Sequence, residues 1–195
     1  MYKIEKKNIA ECEKIYINNF LWEKNGYEPE VYAQIAYDDE GFLIKFTVFE
    51  ENPKKEIKKH LGDVHLDSCI EWFVNFAPEI QDRYFNFEIN AGGFMSVSFR
   101  TGRYDALPVS VDEINTFGIT TEIHDSFWTG SYKIPFSFIK TRIPSFEIKS
   151  GMKIKTNLYK CGDLTEFVHY ASHFDIPLET PEFHCPQYFG EMIVE

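Results

Sequence analysis

The chain has 195 residues, a net charge of −11 at pH 7 and 44% hydrophobic residues. This length and composition fit a single domain over residues 1–195 with a sizeable core, which excludes a disordered chain and a miniprotein that depends on disulfides. The acidic field repels phosphate backbones and anionic lipids, so neither nucleic acid nor a membrane is an expected partner.

The start of the chain carries no targeting signal that the sequence reveals. Residues 1–7 alternate charged and single apolar residues, so neither a signal peptide nor a spanning helix is predicted. The expected location is the cytoplasm, or the extracellular space if a leader has been removed. The four cysteines lie far apart, which fits neither a zinc site nor a disulfide framework, and we predict reduced thiols, at least two of them buried. They are Cys12, Cys69, Cys161 and Cys185.

The first half of the chain begins with a predicted hairpin. Turn signals recur about every ten residues, and 17% of the residues are aromatic, both typical of an all-β protein. The β-rich runs 31–37 and 42–49 flank the turn Asp-Asp-Glu-Gly at 38–41, which predicts two paired strands. Residues 52–59 begin with the helix-capping residue Asn52 and with Pro53, followed by helix formers, which predicts a short surface helix.

A buried strand is predicted at 69–76. Every position there is apolar except Glu71 and Asn75, a pattern typical of a strand that is covered on both faces. A carboxylate in such a strand is costly to bury alone, so Glu71 needs a partner. We expect the guanidinium of Arg100 on the neighbouring polar face to be that partner.

A second hairpin is predicted over residues 84–100. Phe85, Phe87 and Ile89 alternate with polar residues in 84–90, and the same alternation resumes over 95–100 after the turn formed by two glycines. One face of this hairpin should therefore lie in the core. The other should carry hydrogen-bonding side chains.

Five further strands are predicted at 118–123, 128–134, 152–158, 167–172 and 190–194, with a turn or short helix around Phe138. The total of about nine or ten strands is more than one sheet holds without curling. We therefore predict an all-β fold with one or two short helices: a two-sheet antiparallel β-sandwich with an immunoglobulin-like architecture.

Enzyme motifs are mostly missing, because the chain has no nucleophile elbow, phosphate-binding glycine loop, dinucleotide fingerprint or zinc-protease helix. Glu71 and Glu88 could be a glycosidase pair if their strands are neighbours. The alternative, which we favour, is that each carboxylate binds a ligand hydroxyl or an arginine. His169 and His173 are four residues apart in a predicted strand, about 13 Å from each other, which argues against a metal site.

The polar face of the second hairpin combines rings with hydrogen-bonding groups. Carboxylates, amides and guanidinium groups can take the hydroxyls of a sugar while planar side chains stack on its C–H face. The side chains of this face are Tyr84, Asn86, Glu88, Asn90, Ser98 and Arg100, with Glu71 behind them.

Six stretches in order resemble a known family, the carbohydrate-binding module family 9-like proteins within the DOMON-type β-sandwiches. They are residues 32–42, the Asp-Ser-Cys-Ile-Glu-Trp-Phe run at 67–73, residues 84–90 with their glycine turn, Trp128 with Ile134-Pro135, residues 157–163, and Phe183-His184 with Pro186 and Phe189-Gly190. The resemblance implies a protein that binds the end of a xylan-like or glucan-like saccharide without cleaving it, in support of carbohydrate breakdown.

The resemblance also implies site residues. Glu71 falls on the sugar-binding glutamate of the family, Arg100 or Arg103 on its arginine, and Phe183 on its second aromatic platform. Two positions depart from the pattern, since His65 and His173 stand where the family usually has tryptophan, which predicts weaker binding or a different ligand. The predicted ligand-binding set is His65, Glu71, Tyr84, Glu88, Arg100, Arg103, Phe183 and His184.

The sequence predicts no cofactor; structural calcium is implied by the resemblance alone, since no compact run of oxygen ligands marks a site. The prediction for activity favours a binding protein over a glycoside hydrolase. A third class, a haem-binding electron-transfer domain, is known elsewhere in the DOMON group and can be tested by a visible absorption scan. The sequence leaves the oligomeric state open.

Overall fold

The computed structural model describes residues 2–195, in which fourteen strands and two short α-helices are found. The strands are β1 (Tyr2–Ile4), β2 (Ile15–Tyr16), β3 (Asn19–Leu21), β4 (Val31–Tyr37), β5 (Gly41–Val48), β6 (Cys69–Asn75), β7 (Tyr84–Asn90), β8 (Met95–Arg100), β9 (Leu107–Pro108), β10 (Thr120–Ile123), β11 (Trp128–Pro135), β12 (Lys153–Gly162), β13 (His169–Ser172) and β14 (Gly190–Val194). The helices are α1 (Val111–Asn115) and α2 (Phe136–Arg142), and short 3₁₀ turns lie at Ile9–Glu11, Val64–Leu66 and Pro186–Tyr188.

The strands form two sheets, as the sequence predicts. The larger sheet has the order β1-β14-β12-β6-β7-β8-β9, with β13 beside β12 and β3 beside β13, and the smaller has the order β10-β11-β5-β4-β2. Neighbouring strands are antiparallel, as the sequence predicts, except for the short edge strand β1, which is parallel to β14. The strand count exceeds the predicted nine or ten because β1, β2, β3 and β9 have only two or three residues, too few for a periodic pattern.

The inner faces of the two sheets share one hydrophobic core. Phe85, Phe87 and Ile89 of β7 are all fully buried in it, which confirms the alternation argument. The neighbouring strand β8 contributes Met95, Val97 and Phe99 by the same period of two. Aromatic rings fill much of the space between the sheets, and Phe85 and Phe99 face each other across β7 and β8 with ring centroids 4.5 Å apart.

The outer face of the larger sheet is also covered. The residues of β6 and β7 that point away from the core are buried like those that point into it. A second, smaller apolar cluster forms there around Phe73, Tyr84 and Tyr159, and the segment between β13 and β14 packs against it with Ile176 and Cys185. The polar face predicted from the hairpin is therefore the floor of a covered depression.

The first predicted hairpin is confirmed, with β4 and β5 paired in register from Val31–Val48 to Tyr37–Phe42. Asp38 holds the turn, because its side chain accepts hydrogen bonds from the backbone N–H groups of Glu40 and Gly41. Gly41 is required by space, since a Cβ there would lie 2.3 Å from the carbonyl oxygen of Ile134. In the second hairpin Gly93 adopts a left-handed φ of 82°, which suits glycine in a tight turn.

The predicted helix at 52–59 is wrong, because this segment has no regular secondary structure. Asn52 adopts a φ of 50°, which is not the extended conformation of a capping residue. The backbone groups bond elsewhere instead: the carbonyl of Lys54 accepts from the N–H of Ser68, and the N–H of Ile57 donates to the carboxylate of Asp67. Local helix propensity is overridden by these tertiary hydrogen bonds.

All four cysteines are free and buried, which confirms the predicted reduced thiols. The predicted structure around Phe138 is α2, whose buried residues are Phe138 and Ile139. Neither α-helix in residues 2–195 combines the length and the apolar character needed to cross a bilayer.

Candidate functional site

A pocket opens on the outer face of the larger sheet, over β6, β7 and the end of β12. Its volume is about 150 Å³, the size at which a cavity in a protein core accommodates one benzene ring. It therefore suits a single six-membered ring. The lining residues are Trp22, His65, Glu71, Phe73, Glu88, Arg103, Cys161, Asp163, Tyr170, Pro181, Glu182, Phe183 and His184.

Six of the eight residues predicted to bind ligand line this pocket: His65, Glu71, Glu88, Arg103, Phe183 and His184. The other two, Tyr84 and Arg100, lie directly behind His184, which each of them contacts through a hydrogen-bonding distance to a different ring nitrogen. We expect Glu71, Arg100 and Phe183 to converge on one concave site; the structure brings Glu71 and Phe183 to the pocket, whereas Arg100 lies in the layer behind His184.

Two carboxylates form the floor. Glu71 and Glu88 are directly opposed across β6 and β7, and both are buried. Glu88 is held by a chain of hydrogen bonds: the amide of Asn86 donates to it over 2.6 Å, the hydroxyl of Ser98 donates to Asn86, and the Nε of Arg100 donates to Ser98 over 2.7 Å. The Arg100 guanidinium is therefore linked to Glu88 through the side chains of Ser98 and Asn86.

The predicted Glu71–Arg100 ion pair is wrong. The hydrogen bond found on the Glu71 carboxylate comes from the thiol of Cys161, with 3.1 Å between Sγ and Oε1. No ion pair among residues 2–195 involves Glu71. Arg100 lies two strands away on β8, and its guanidinium donates hydrogen bonds to Ser98, to His184 and to the carbonyl of Arg103. Glu71 is therefore a buried carboxylate without a cation.

The acids of the pocket have raised pKa values. Burial raises the pKa of Glu71 well above its usual range, and the neighbouring Cys161 and Glu88 add to the effect. Burial also raises the pKa of Glu88, although the Asn86 amide and the nearby His65 and Arg100 partly oppose it. Asp163 at the rim has a raised pKa for the same reason, opposed by His65 and Arg103. An acid that keeps its proton can donate a hydrogen bond as well as accept one.

An aromatic wall borders the acids. The ring of Phe183 stacks on Tyr159 with centroids 4.1 Å apart and an interplanar angle of 10°. Trp22 lies 5.7 Å from Phe183 and 5.7 Å from Tyr170, so the three rings form a continuous apolar surface beside the carboxylates. Phe183 is only half-buried, which leaves part of its ring for a ligand.

Trp22 was missed by the sequence reasoning. It follows β3, which pairs with β13, and its indole Nε1 donates to the carbonyl of Leu178 over 2.8 Å. Its φ is 63°, a left-handed conformation that a bulky residue rarely adopts and that costs about 1–2 kcal/mol. The usable signal was its rarity, because the chain has only three tryptophans, but nothing local placed it near Phe183.

His184 is neutral and fixed in one tautomer. Burial and the charge of Arg100 lower its pKa to about 3. Arg100 can only donate, so Nε2 of His184 accepts from it over 3.3 Å, and Nδ1 carries the proton toward the hydroxyl of Tyr84 at 2.9 Å. The ring also stacks on Phe73 at 5.0 Å. These contacts hold the imidazole as a rigid part of the wall.

Arg103 stands at the pocket mouth in a bidentate pair with Glu182, at 2.7 Å and 3.0 Å. Its side chain is about half-exposed, and the pair bridges the turn after β8 to the segment that carries Phe183. Glu182 also accepts the backbone N–H of His184, so this contact orders the loop that forms the wall.

Among residues 2–195, the acidic, cysteine and histidine side chains form one group placed to share a cation, and its donor atoms do not suit calcium. Calcium takes six to eight oxygen ligands, whereas the one group of three or more acidic, cysteine or histidine side chains placed to share a cation in residues 2–195 is Cys69, Glu71 and Cys161, with two sulfurs. His169 is buried against Lys160, with 2.6 Å between Nε2 and Nζ, and shares no such group with His173.

Comparisons with known proteins place this geometry among carbohydrate-binding folds. The sequence model of carbohydrate-binding family 9 matches residues 3–194. No curated protein matches the sequence. A crystal structure of a Bacteroides uniformis protein proposed to bind carbohydrate is 25% identical, with a TM-score of 0.84 and 100% of this chain and 99% of that chain covered.

A family 9 carbohydrate-binding module of Caldicellulosiruptor kristjanssonii has a similar fold at lower identity. Its complex with cellotriose is 10% identical, with a TM-score of 0.70 and coverage of 100% of this chain and 93% of that chain. Its complex with glucose is 10% identical, with a TM-score of 0.68 and coverage of 99% and 94%.

Proposed function

Because the chain belongs to carbohydrate-binding family 9, we propose that the outer-face pocket binds one terminal ring of a xylan-like or glucan-like saccharide without cleaving it. The observation that carries this proposal is the joining of a carboxylate floor to an aromatic wall around a volume of about 150 Å³. Sugars need both, since their hydroxyls form hydrogen bonds and their C–H faces bury against rings. A pocket of one ring selects a chain end over a chain middle.

Each part of the pocket has a distinct role in this proposal. Glu71 and Glu88 take hydroxyl groups from below, and a protonated carboxyl both donates to and accepts from them. The exposed part of Phe183, together with Trp22, covers one face of the ring. His65, which also lines the pocket, is half-buried and offers an imidazole as a second flat surface for the ring.

Binding heat measured by calorimetry tests the proposal, with glucose, xylose and their β-linked oligosaccharides as ligands. Glu71→Gln should weaken binding by about tenfold to 100-fold, because the amide nitrogen cannot accept a hydrogen bond where the second carboxyl oxygen can. Phe183→Ala should weaken it by about 3-fold to 10-fold through lost stacking. Phe167→Ala is the matched control, because Phe167 is an exposed ring that stacks on Tyr27 outside the pocket. Equal losses in all three variants would refute the assignment of the pocket.

A glycoside hydrolase that uses Glu71 and Glu88 is the second candidate, since the two carboxylates are directly opposed and both have raised pKa values. Two observations favour binding instead. Both side chains rise from one floor, whereas glycosidase carboxylates flank the scissile bond. Both pKa values also shift the same way, whereas an acid and a nucleophile need environments that separate them.

Turnover separates the two candidates. Each oligosaccharide is incubated with the protein while the release of reducing ends is followed, alongside the calorimetry. We expect binding heat without release. Release that Glu71→Gln abolishes would establish the hydrolase instead.

A further inference from the structure

Two thiols meet beneath the pocket. Cys69 and Cys161 are directly opposed residues in the antiparallel pair of β6 and β12. Their side chains point to the outer face, the same side as Glu71, because alternate residues of a strand share a face. One sulfur and one carboxylate oxygen are 3.1 Å apart, and the two Sγ atoms and the carboxylate oxygen all lie within 4.8 Å of one another.

The buried carboxyl group of this cluster, Glu71, has no cationic partner among residues 2–195. Glu71 is 3% exposed, forms none of the ion pairs found in residues 2–195, and lies beside a second buried carboxylate, Glu88. The nearest arginines are engaged elsewhere, Arg103 by Glu182 and Arg100 by Ser98 and His184. A buried carboxylate is normally compensated by a cation or by several hydrogen-bond donors.

The cluster is also reachable from solvent. Cys161 and Glu71 line the pocket, whereas Cys69 lies behind them against Val64. An ion that enters the pocket therefore meets a thiol and a carboxylate first, with a second thiol one strand away. A proposed metal site needs such an entry path as well as a ligand set.

We propose that Cys69, Glu71 and Cys161 form a site for a thiophilic divalent cation, with Zn²⁺ as the best fit. Two cysteine sulfurs and one carboxylate oxygen are a zinc-type donor set, and three protein ligands leave a fourth position open toward the pocket. The same donor set excludes calcium and magnesium, which require oxygen ligands.

The geometry requires only small movements. A tetrahedral zinc ion about 2.3 Å from sulfur and about 2.1 Å from oxygen separates its ligand atoms by about 3.6–3.8 Å. The observed limit of 4.8 Å and the observed contact of 3.1 Å bracket that spacing. Side-chain rotation about the χ angles of these three residues can therefore bring the donor atoms to the spacing that zinc requires. The two thiols and the carboxyl group of Glu71 release their protons to the solvent when the metal binds.

Occupation of this site would remove Glu71 from the sugar-binding floor. A carboxylate bound to zinc cannot also donate to or accept freely from a sugar hydroxyl, so the metal and the sugar should compete. This competition rests on the proposed saccharide function, whereas metal binding itself does not. The two statements can therefore fail separately.

Co²⁺ titration of the full chain tests the metal site directly, in a buffer with a non-thiol reductant. Cobalt bound to thiolates produces a charge-transfer band in the near ultraviolet, and Zn²⁺ should abolish that band by displacement. Cys161→Ser should weaken Co²⁺ binding at least tenfold and reduce the band per bound ion. Cys12→Ser and Cys185→Ser are matched controls, because each removes a buried thiol outside the cluster.

Three results would overturn the proposal: no charge-transfer band in the native chain, a band that survives in Cys161→Ser and Cys69→Ala, or a band lost equally in the control variants. Glu71→Gln keeps both thiols and should weaken Co²⁺ binding while leaving a band. Calorimetry with glucose in the presence of Zn²⁺ then measures competition. Metal binding without competition would leave the metal site intact and contradict the role of Glu71 in sugar binding.

Discussion

A buried glutamate lies on each side of the larger sheet: Glu50, which follows β5, packs against the inner side, and Glu71 of β6 lies on the outer side, where its surroundings are opposite in kind. On the inner side, Glu50 receives the hydroxyl of Ser68, the indole of Trp128 at 3.1 Å and the ammonium of Lys160 at 3.5 Å. Burial alone would raise its pKa, but these partners outweigh burial and lower it. On the outer side, Glu71 has a thiol as its hydrogen-bond donor and a raised pKa.

We interpret this difference as the contrast between a structural glutamate, Glu50, and one proposed to bind ligand, Glu71. Lys160 is fully buried and is itself satisfied by the carbonyl of Cys161 and by Nε2 of His169, so the inner cluster is complete. His169 remains neutral there, since burial and the charge of Lys160 lower its pKa to about 4. The outer carboxylates keep unused hydrogen-bonding capacity, and that capacity faces the pocket. In this chain, incomplete pairing of buried polar groups coincides with the pocket proposed to bind sugar.

The largest effect is expected when the inner cluster loses its cation. Lys160→Met keeps the length of the side chain but leaves Glu50 buried without a charge partner, and it should cost about 3–5 kcal/mol in the free energy of unfolding. Urea denaturation measures this cost. Lys155→Met, an exposed change on the same strand, is the control and should stay within about 0.5 kcal/mol. Equal costs would mean that the inner cluster contributes nothing.

The next largest effect is the difference in stability loss between alanine substitutions of Phe87 in the shared core and Phe183 at the outer-face pocket. Phe87→Ala opens a cavity in the shared core and should cost about 3–5 kcal/mol, while sugar affinity per folded molecule stays unchanged. Phe183→Ala removes a half-buried ring and should cost about 1–2 kcal/mol, with a loss of affinity. Urea denaturation measures the free energy of unfolding of each variant, and calorimetry measures its affinity for sugar. The comparison breaks if Phe183→Ala costs as much stability as Phe87→Ala.

Glu71→Gln should raise stability while it lowers affinity. Because the pKa of Glu71 is raised on folding, the folded chain holds a proton that the unfolded chain releases above about pH 4.3. The stability linked to this group is therefore present below that pH and is lost as the pH rises through the folded pKa. A glutamine does not titrate, so the variant should gain about 0.5–2 kcal/mol over the native chain at neutral pH and less at pH 4.

Glu50→Gln should change stability at neutral pH in the opposite direction: this substitution should lower it. Its pKa is lowered on folding, so its stabilisation is present at neutral pH and is lost as the pH falls through the folded pKa. Thermal unfolding between about pH 4 and pH 8 follows both variants. The distinction between the faces fails if the two substitutions shift Tm in the same direction at neutral pH.

The smallest expected effect concerns the strained tryptophan of the outer face. Trp22→Ala and Trp22→Gly both remove the indole and should lower sugar affinity equally. The glycine variant should be more stable than the alanine variant by about 0.5–1 kcal/mol, because glycine adopts a φ of 63° without strain. Urea denaturation of the pair measures this difference. A more stable alanine variant would show that the backbone relaxes when the indole is lost.

The sequence was sufficient for features that depend on short-range periodicity. The alternation of Phe85, Phe87 and Ile89 identified the inner face of β7, and the isolated acid in a buried strand identified Glu71. It failed at 52–59, where backbone hydrogen bonds to Asp67 and Ser68 override helix propensity. Propensity is a weak prior where tertiary partners are available.

The parts of the site that escaped prediction depend on strand register. Cys69 and Cys161 are opposed only because β6 and β12 pair in one register, and Trp22 joins the wall only because β3 pairs with β13. The spacing of residues along the chain reveals neither of these two strand pairings. The Glu71–Arg100 pair failed for the same reason, because β7 lies between their strands and the hydroxyl of Ser98 takes the Nε of Arg100.

The path of the N-terminal segment has a kinetic consequence. β3 joins the larger sheet, although β2 before it and β4 after it both belong to the smaller one. The hydrogen bond of the Trp22 indole, which fixes the wall, spans 156 positions of the chain, and contacts of such long sequence separation form slowly because closing a long loop costs conformational entropy. The pocket should thus close after the sheets have assembled. In a stopped-flow refolding experiment, competence to bind sugar should appear in a later phase than burial of the core.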